Sequence, residues 1–284
     1  MPELPEVETM RRGVRGVVGA RIHDVVRPRC VYRPITIRPT PGRMRRQLVG
    51  RRIAAVERAG KRVILRLEGD DRLIFEPRMT GLVLVADPPD TTHLRLRLLL
   101  EDSPHAELLF WDRRGLGGVE LLSEREFTSR LGPATLGPDA LEVDGDCLRE
   151  RLRDSRREIK VALLDQKAVA GIGNLYASEI LFLAGIHPQR RCTTLRRFEW
   201  DAVADAIQSV LRKAIRYEGS TLADGTYRNA LNQSGSYQNH HRVYDRADDP
   251  CPDCKRATIR RIVQAQRSTF FCPSCQSRRR AKPR

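Results

Sequence analysis

The chain has 284 residues, 52 Lys and Arg against 36 Asp and Glu, and a formal charge of +16. That length suits two domains plus a small appendage; no apolar run approaches a membrane span and no signal peptide opens the chain, so a cytosolic protein is expected. The charge selects a polyanionic partner, nucleic acid, but leaves the chemistry open, because a basic structural protein looks the same. In chain order, a helix is predicted from about Leu4, since Val7, Met10, Val14 and Val17 share one helical face. Segments of period two follow at 21–26, 53–57, 62–67, 73–75, 82–85, 93–98 and 107–111, and about eight strands before residue 122 predict a two-sheet β-sandwich. A linker rich in Gly and Pro is expected at 132–146, then helices at 148–164, 174–184 and 196–215, then a small hairpin and a disordered basic tail at 278–284. The fold class is α+β, divided as a sandwich domain at 1–131, a helical domain at 147–240 and a hairpin at 241–277.

The opening string Met1-Pro2-Glu3-Leu4-Pro5-Glu6-Val7-Glu8-Thr9 carries the most specific chemistry. Removal of Met1, usual before a small residue, leaves Pro2 as a secondary amine with the Glu3 carboxylate beside it. A proline amine that attacks a sugar aldehyde carbon gives an iminium with no N–H left to lose, a permanent electron sink, and Glu3 can give or take protons there. The positive end of the predicted helix lies under that amine and disfavours its ammonium form. The same residues also suit a frayed start with acids in a first helical turn.

Four of the seven cysteines form two pairs, Cys251-Pro252-Asp253-Cys254 and Cys272-Pro273-Ser274-Cys275, separated by 17 residues. Two such knuckles can converge tetrahedrally on one Zn²⁺, and a closed shell of four thiolates makes that zinc structural. A redox pair needs only one such motif. Cys30, Cys147 and Cys192 are expected to be reduced thiols. Earlier in the chain, Gly171-Ile172-Gly173-Asn174 precedes an apolar-periodic helix, so backbone N–H groups and the helix end can receive an anion, with Asn174 either capping the helix or donating its amide to phosphate.

The nine-residue opening resembles the amino terminus of the formamidopyrimidine-DNA glycosylases, bacterial base-excision repair enzymes, and further segments through the zinc motif follow in that family's order. The resemblance implies a helix-two-turns-helix in the helical domain and a zinc-ribbon hairpin after it. It implies that Pro2, Glu3 and Lys61 are catalytic, that Lys61 at a strand start reaches a DNA phosphate beside the reacting nucleotide, and that Lys160, Asn174 and Arg267 hold further backbone phosphates. Arg267 on a zinc ribbon is otherwise a generic electrostatic contact. Met79, Arg114 and Leu116 match the positions that fill the void left by a flipped nucleotide; without the family they read as a core methionine and a charged turn. The implied partner is double-stranded DNA carrying a damaged base or abasic site, met by a monomer in the cytoplasm, at the bacterial nucleoid, with no membrane.

Several positions depart from the family pattern. Glu76 stands where a phosphate-binding histidine is usual, Gly115 where an arginine is usual, Leu116 where the wedge is aromatic, and Ala223 where many relatives have a lysine over the damaged base; the chain is also about a residue short near 237–244. These changes leave the reaction intact and bear on lesion preference, with formamidopyrimidines expected ahead of 8-oxoguanine. The rival readings are an endonuclease VIII-like enzyme for oxidised pyrimidines and a non-catalytic zinc-ribbon DNA-binding protein.

Overall fold

A computed structural model of the chain describes residues 2–277; Met1 and the tail expected at 278–284 lie outside the described residues. The chain divides into two compact units, one of Met1–Thr135 with Ala214–Gln238, the other of Leu136–Lys213 with Asn239–Arg284.

Unit 1 is the expected sandwich. Helix α1 (Leu4–Gly13) precedes β1 (Arg21–Val26), β2 (Thr36–Arg38), α2 (Pro41–Leu48), β3 (Ile53–Ala59), β4 (Arg62–Leu67), β5 (Arg72–Glu76), β6 (Gly81–Leu84), β7 (Leu94–Glu101), β8 (Glu107–Asp112), β9 (Gly118–Leu122) and α3 (Glu124–Leu131). One sheet has the order β1-β7-β8-β6 and the other β2-β9-β5-β4-β3. Only β2 and β9 pair in parallel; the remaining ladders are antiparallel. Period two explains β4, where Val63, Leu65 and Leu67 join the sandwich core. Ile64, on the opposite face, meets Ile74 and Leu122 beneath Phe127 and Leu131. Two strands and two helices exceed the sequence expectation: β2 is three residues with one apolar side chain, too short to show a period, β9 does not alternate, α2 is arginine-rich, and α3 is rich in arginine and glutamate.

Helix α1 is fixed by its apolar stripe. Val7, Met10 and Val14 are fully buried in the sandwich core. At roughly 1.5–3 kcal/mol per buried side chain, this stripe outweighs the ~1 kcal/mol of an N-cap. Arg58 of β3 adds a polar tie, its Nε 3.1 Å from Glu8. Burial raises the Glu8 carboxyl, but hydrogen bonds and charge from Arg11, Arg12 and Arg58 prevail and hold it at about 2.

The sequence groups 214–238 with the helical domain, and here the structure differs. Tyr227 and Ala230 belong to the sandwich core, the Val85 N–H donates to the Ala230 carbonyl at 3.0 Å, and a Cβ on Gly13 would lie 2.5 Å from the Ala230 Cβ. Apolar packing of a long loop overrides its sequence neighbourhood.

Unit 2 holds α4 (Gly145–Leu152), α5 (Ile159–Leu163), α6 (Asn174–Leu183), most of α7 (Arg197–Arg216) and the antiparallel hairpin of β10 (Arg260–Gln264) and β11 (Arg267–Phe271). The single helix expected at 148–164 is thus two. Ser155 interrupts it: its Oγ accepts from the Arg157 N–H at 3.3 Å and from the Arg157 guanidinium at 3.1 Å, offering the backbone an alternative to the helix. Among the described residues no helix is long and apolar enough to cross a membrane.

Candidate active site and nucleic-acid interface

In unit 1 the residues expected to react stand at the head of α1. Pro2 is buried, and Glu3, 4% exposed, is the N-cap residue. The Glu3 N–H donates to Glu6 Oε2 at 2.8 Å, and the other oxygen of the same carboxylate accepts the Ser220 N–H at 2.9 Å. Glu6 therefore locks both the backbone that presents Pro2 and the loop at 219–225. A Cβ on Gly219, which has φ +78°, would lie 2.8 Å from Glu6 Oε1, so the loop approaches this closely only as glycine. The Tyr227 hydroxyl lies within hydrogen-bond distance of the Glu6 and Glu218 carbonyls. Burial first, and then the Glu6 charge, push its phenol well above the usual value, so it stays a neutral donor. Ala223 lies exposed on this loop.

Lys61 sits with Gly60 in the two-residue turn between β3 and β4, at the pairing of Ala59 with Arg62. Gly60 takes φ +54°, as a tight hairpin loop requires. The turn is fastened to α1 through Arg58, which meets the Gly60 carbonyl at 3.0 Å as well as Glu8.

Met79, Arg114 and Leu116 lie on two loops, β5–β6 and β8–β9. Met79 is 36% exposed, Arg114 is exposed and Leu116 half-buried. Both loops are tied to one residue that the sequence reading missed. Asp112 is fully buried. Its Oδ1 accepts the Thr80 hydroxyl and the Arg114 N–H, the latter at 3.2 Å, and its Oδ2 accepts the Gly117 N–H at 2.7 Å. Thr80 Oγ1 also accepts from the Arg114 N–H, at 3.0 Å. An acid ending an apolar strand, followed by Arg113-Arg114-Gly115, was the available signal.

Two of the departures acquire reasons. Gly115 has φ +62°, and a Cβ there would lie 2.1 Å from the Arg33 carbonyl oxygen, so a side chain is sterically excluded. Glu76 is committed to ion pairs, with Arg62 at 2.9 Å and Arg78 at 3.4 Å.

In unit 2, Asn174 begins α6 and Arg267 begins β11; Arg267 is exposed and Asn174 half-buried. Lys160 differs from its expected role. It is fully buried, and its Nζ donates to Asn174 Oδ1 at 2.7 Å, to the Ser268 carbonyl at 3.0 Å and to Thr269 Oγ1 at 2.6 Å. Three acceptors match the three donors of an ammonium. Asn174 Nδ2 also donates to the Ser268 carbonyl at 3.0 Å. Lys160 thus fixes Asn174 against the strand that starts with Arg267, and does not itself present a surface charge. Glu179 of α6, another residue missed, accepts the N–H groups of Arg242, Val243 and Tyr244 at 2.9, 3.0 and 2.8 Å. Burial raises its carboxyl while those donors pull the other way.

Cys251, Cys254, Cys272 and Cys275 place their sulfurs within 4.8 Å of one another. The Cys251–Cys275 and Cys254–Cys272 separations are 3.8 and 3.7 Å. These are too long for a disulfide, and they match the edge of a tetrahedron with ~2.3 Å Zn–S bonds, about 3.8 Å. The four thiolates hold one structural zinc. The apolar cluster around them is small, Phe182, Val243, Ile259 and Phe270 with the two buried cysteines, so the metal supplies much of the hairpin's stability. Gln276, fully buried, docks the hairpin through the Cys272 N–H and the Ile186 carbonyl, both at 2.9 Å.

A sandwich that buries a Pro-Glu helix start, and a helical unit with a four-thiolate ribbon and an exposed arginine, are the parts of a zinc-ribbon nucleic-acid enzyme with an amine nucleophile. Residues 1–119 match the formamidopyrimidine-DNA glycosylase N-terminal domain, 136–225 that family's H2TH domain, and 248–278 the zinc finger found in FPG and IleRS. The chain is 40% identical to the formamidopyrimidine-DNA glycosylase of Chloroflexus aurantiacus, covering 97% of this chain and 98% of that one. With that of Gluconobacter oxydans the identity is 41%, over 97% and 100%. Among solved structures, the MutM (Fpg) protein of Thermus thermophilus aligns with a TM-score of 0.83 at 37% identity, over 97% of this chain and 98% of that one. A Lactococcus lactis Fpg variant in complex with a Fapy-dG containing DNA aligns at 0.85 and 34%, over 98% and 100%. The chain belongs to the formamidopyrimidine-DNA glycosylase family.

Proposed function

We propose that this chain, a base-excision repair glycosylase, removes ring-opened and oxidised purines from double-stranded DNA and then cleaves the resulting abasic site with the same amine. The observation that carries this reading is the buried Pro2-Glu3 pair at the head of a helix whose apolar face is locked in a core and whose first turn is pinned by Glu6. Once Met1 is removed, the Pro2 nitrogen attacks C1′ of the flipped nucleotide as the C1′–base bond breaks, with Glu3 managing protons at the sugar. Ring opening gives the iminium. Loss of the C2′ proton sends its electron pair toward that iminium and expels the 3′-phosphate; a second elimination releases the 5′-phosphate. Lys61 contacts a phosphate beside the reacting nucleotide, while Met79, Arg114 and Leu116 occupy the vacated stack. In unit 2, Asn174 and Arg267 take backbone phosphates and Lys160 positions them. The protein acts as a monomer on nucleoid DNA in the cytoplasm, and formamidopyrimidines are better substrates than 8-oxoguanine because Ala223 offers no amine to the base.

Borohydride trapping tests the mechanism. The adduct is expected on the amino-terminal peptide, Pro2→Gly keeps part of the lyase activity, and Glu3→Gln loses base excision more than lyase activity on a ready-made abasic site. An adduct mapping to Lys61, or DNA cleavage with no adduct, overturns it.

A further inference from the structure

Cys30 lies half-buried on the segment joining β1 to β2. Nη1 of Arg95 is 2.7 Å from its sulfur, and its thiol donates to the Thr92 carbonyl at 3.1 Å. Arg95 is 3% exposed. Its Nε donates to the Asp112 carbonyl at 2.8 Å, but its Nη2 is buried with no hydrogen-bond partner among the described residues. A guanidinium offers five donors and no acceptor, and a buried donor without an acceptor is a standing cost. This donor sits on the nitrogen adjacent to the one that touches sulfur. What would satisfy it is an oxygen attached to that sulfur.

We propose that Cys30 is a modification site, a thiol oxidised by hydrogen peroxide to a sulfenic acid whose oxygen accepts the idle Nη2 donor of Arg95. The sulfur lone pair attacks one peroxide oxygen and an S–O bond forms. The O–O bond breaks, and the departing hydroxide takes the thiol proton to leave water. Sulfur loses two electrons and the peroxide gains them. A fixed cation at this distance favours the negative charge that passes through sulfur and oxygen. The other cysteines lack this setting. Cys192 is fully buried, and burial pushes its thiol up to about 11. Cys147 has no guanidinium at its sulfur among the described contacts; its backbone N–H instead donates to the Asp144 carboxylate at 2.8 Å. The ribbon cysteines are claimed by zinc. Through Arg95, the Cys30 thiol is one side chain away from Asp112, which ties the Met79 and Arg114 loops together.

The test treats the full-length, zinc-loaded protein with hydrogen peroxide and dimedone and locates adducts by peptide mass spectrometry. Cys30 is expected to label about tenfold faster than Cys147. A folded Arg95→Met variant should bring the Cys30 rate down to that of Cys147; the comparison within the unmodified chain stands even if that variant does not fold. Equal labelling of Cys30 and Cys147, no adduct on Cys30, or a folded Arg95→Met protein oxidised at the original rate overturns the proposal.

Discussion

Replacing Asp112 by asparagine changes one oxygen of a buried carboxylate into a donor while leaving the shape almost intact. In the native protein the two oxygens serve the Thr80 hydroxyl and the N–H groups of Arg114 and Gly117. Asparagine has one acceptor for two directions, so either Gly117, or Thr80 together with Arg114, faces an N–H instead of an oxygen. Hydrogen bonds to a charged acceptor contribute about 1.5–3 kcal/mol, and a stranded buried donor costs about 1–3 kcal/mol more. Because Thr80 can rotate its hydroxyl and the Arg114 N–H keeps Thr80 Oγ1 as a second acceptor, the lower part of the sum applies, about 2.5–4 kcal/mol. Urea unfolding should show it as a lower midpoint at unchanged slope. Single-turnover excision should fall between about tenfold and 10²-fold, the range for a small misplacement of positioning groups, because the loops bearing Met79, Arg114 and Leu116 lose their common anchor. A stability change under about 0.5 kcal/mol, the level of an ordinary surface substitution, refutes the network. Full destabilisation with unchanged excision refutes its role in aiming the loops.

Other outcomes follow from the same geometry. Chelation, or Cys254→Ser, should unfold the ribbon and abolish DNA binding together, with zinc release measured by a colorimetric chelator; a variant that keeps its hairpin without metal contradicts this. Arg267→Ala should lower the slope of log affinity against log salt by about one and weaken all sequences alike; an unchanged slope places Arg267 off the DNA. Burial, then the charges of Arg246 and His240, lower the His241 ring to about 4 from an ordinary 6.5. The unfolded chain therefore takes up this proton first, so the associated stability is complete above about pH 6.5 and declines toward pH 4, by up to about 3 kcal/mol. His241→Gln should flatten stability against pH over that window, and an equally steep curve assigns the acid sensitivity elsewhere. Formamidopyrimidine should be excised faster than 8-oxoguanine in single-turnover assays; equal or reversed rates mean that loop atoms other than Ala223 read the base.

The sandwich was legible because its strands alternate. Val63, Leu65 and Leu67 repeat every second residue, and α1 repeats its apolar residues every third or fourth, so each pattern names its own element. What stayed hidden lacks a period or owes its place to distant contacts. The three residues of β2 are recruited by parallel pairing with β9, a partner more than 80 positions away. The break between α4 and α5 turns on a hydroxyl of Ser155, which competes with the helix without altering its apolar spacing. Tyr227 and Ala230 sit in a polar stretch where two apolar side chains carry no periodic signal, yet they seal the sandwich.

The same distinction separates the site residues. Pro2, Glu3 and the four cysteines announce themselves because their chemistry depends on neighbours in sequence: an amine next to a carboxylate, thiols two residues apart. Asp112, Glu6 and Lys160 act through hydrogen bonds across space, and it is the fold that decides whether a charged side chain faces solvent or three partners. Lys160 shows the consequence. In sequence, the family resemblance implies that Lys160 holds a phosphate; folded, its Nζ donates to Asn174, Ser268 and Thr269. Lys160→Met should therefore leave a stranded acceptor set and loosen Asn174 from the Ser268 carbonyl of β11, lowering stability as well as DNA affinity. Removing the exposed Arg267, proposed above as a phosphate ligand, should lower affinity alone, because no buried partner is left unpaired.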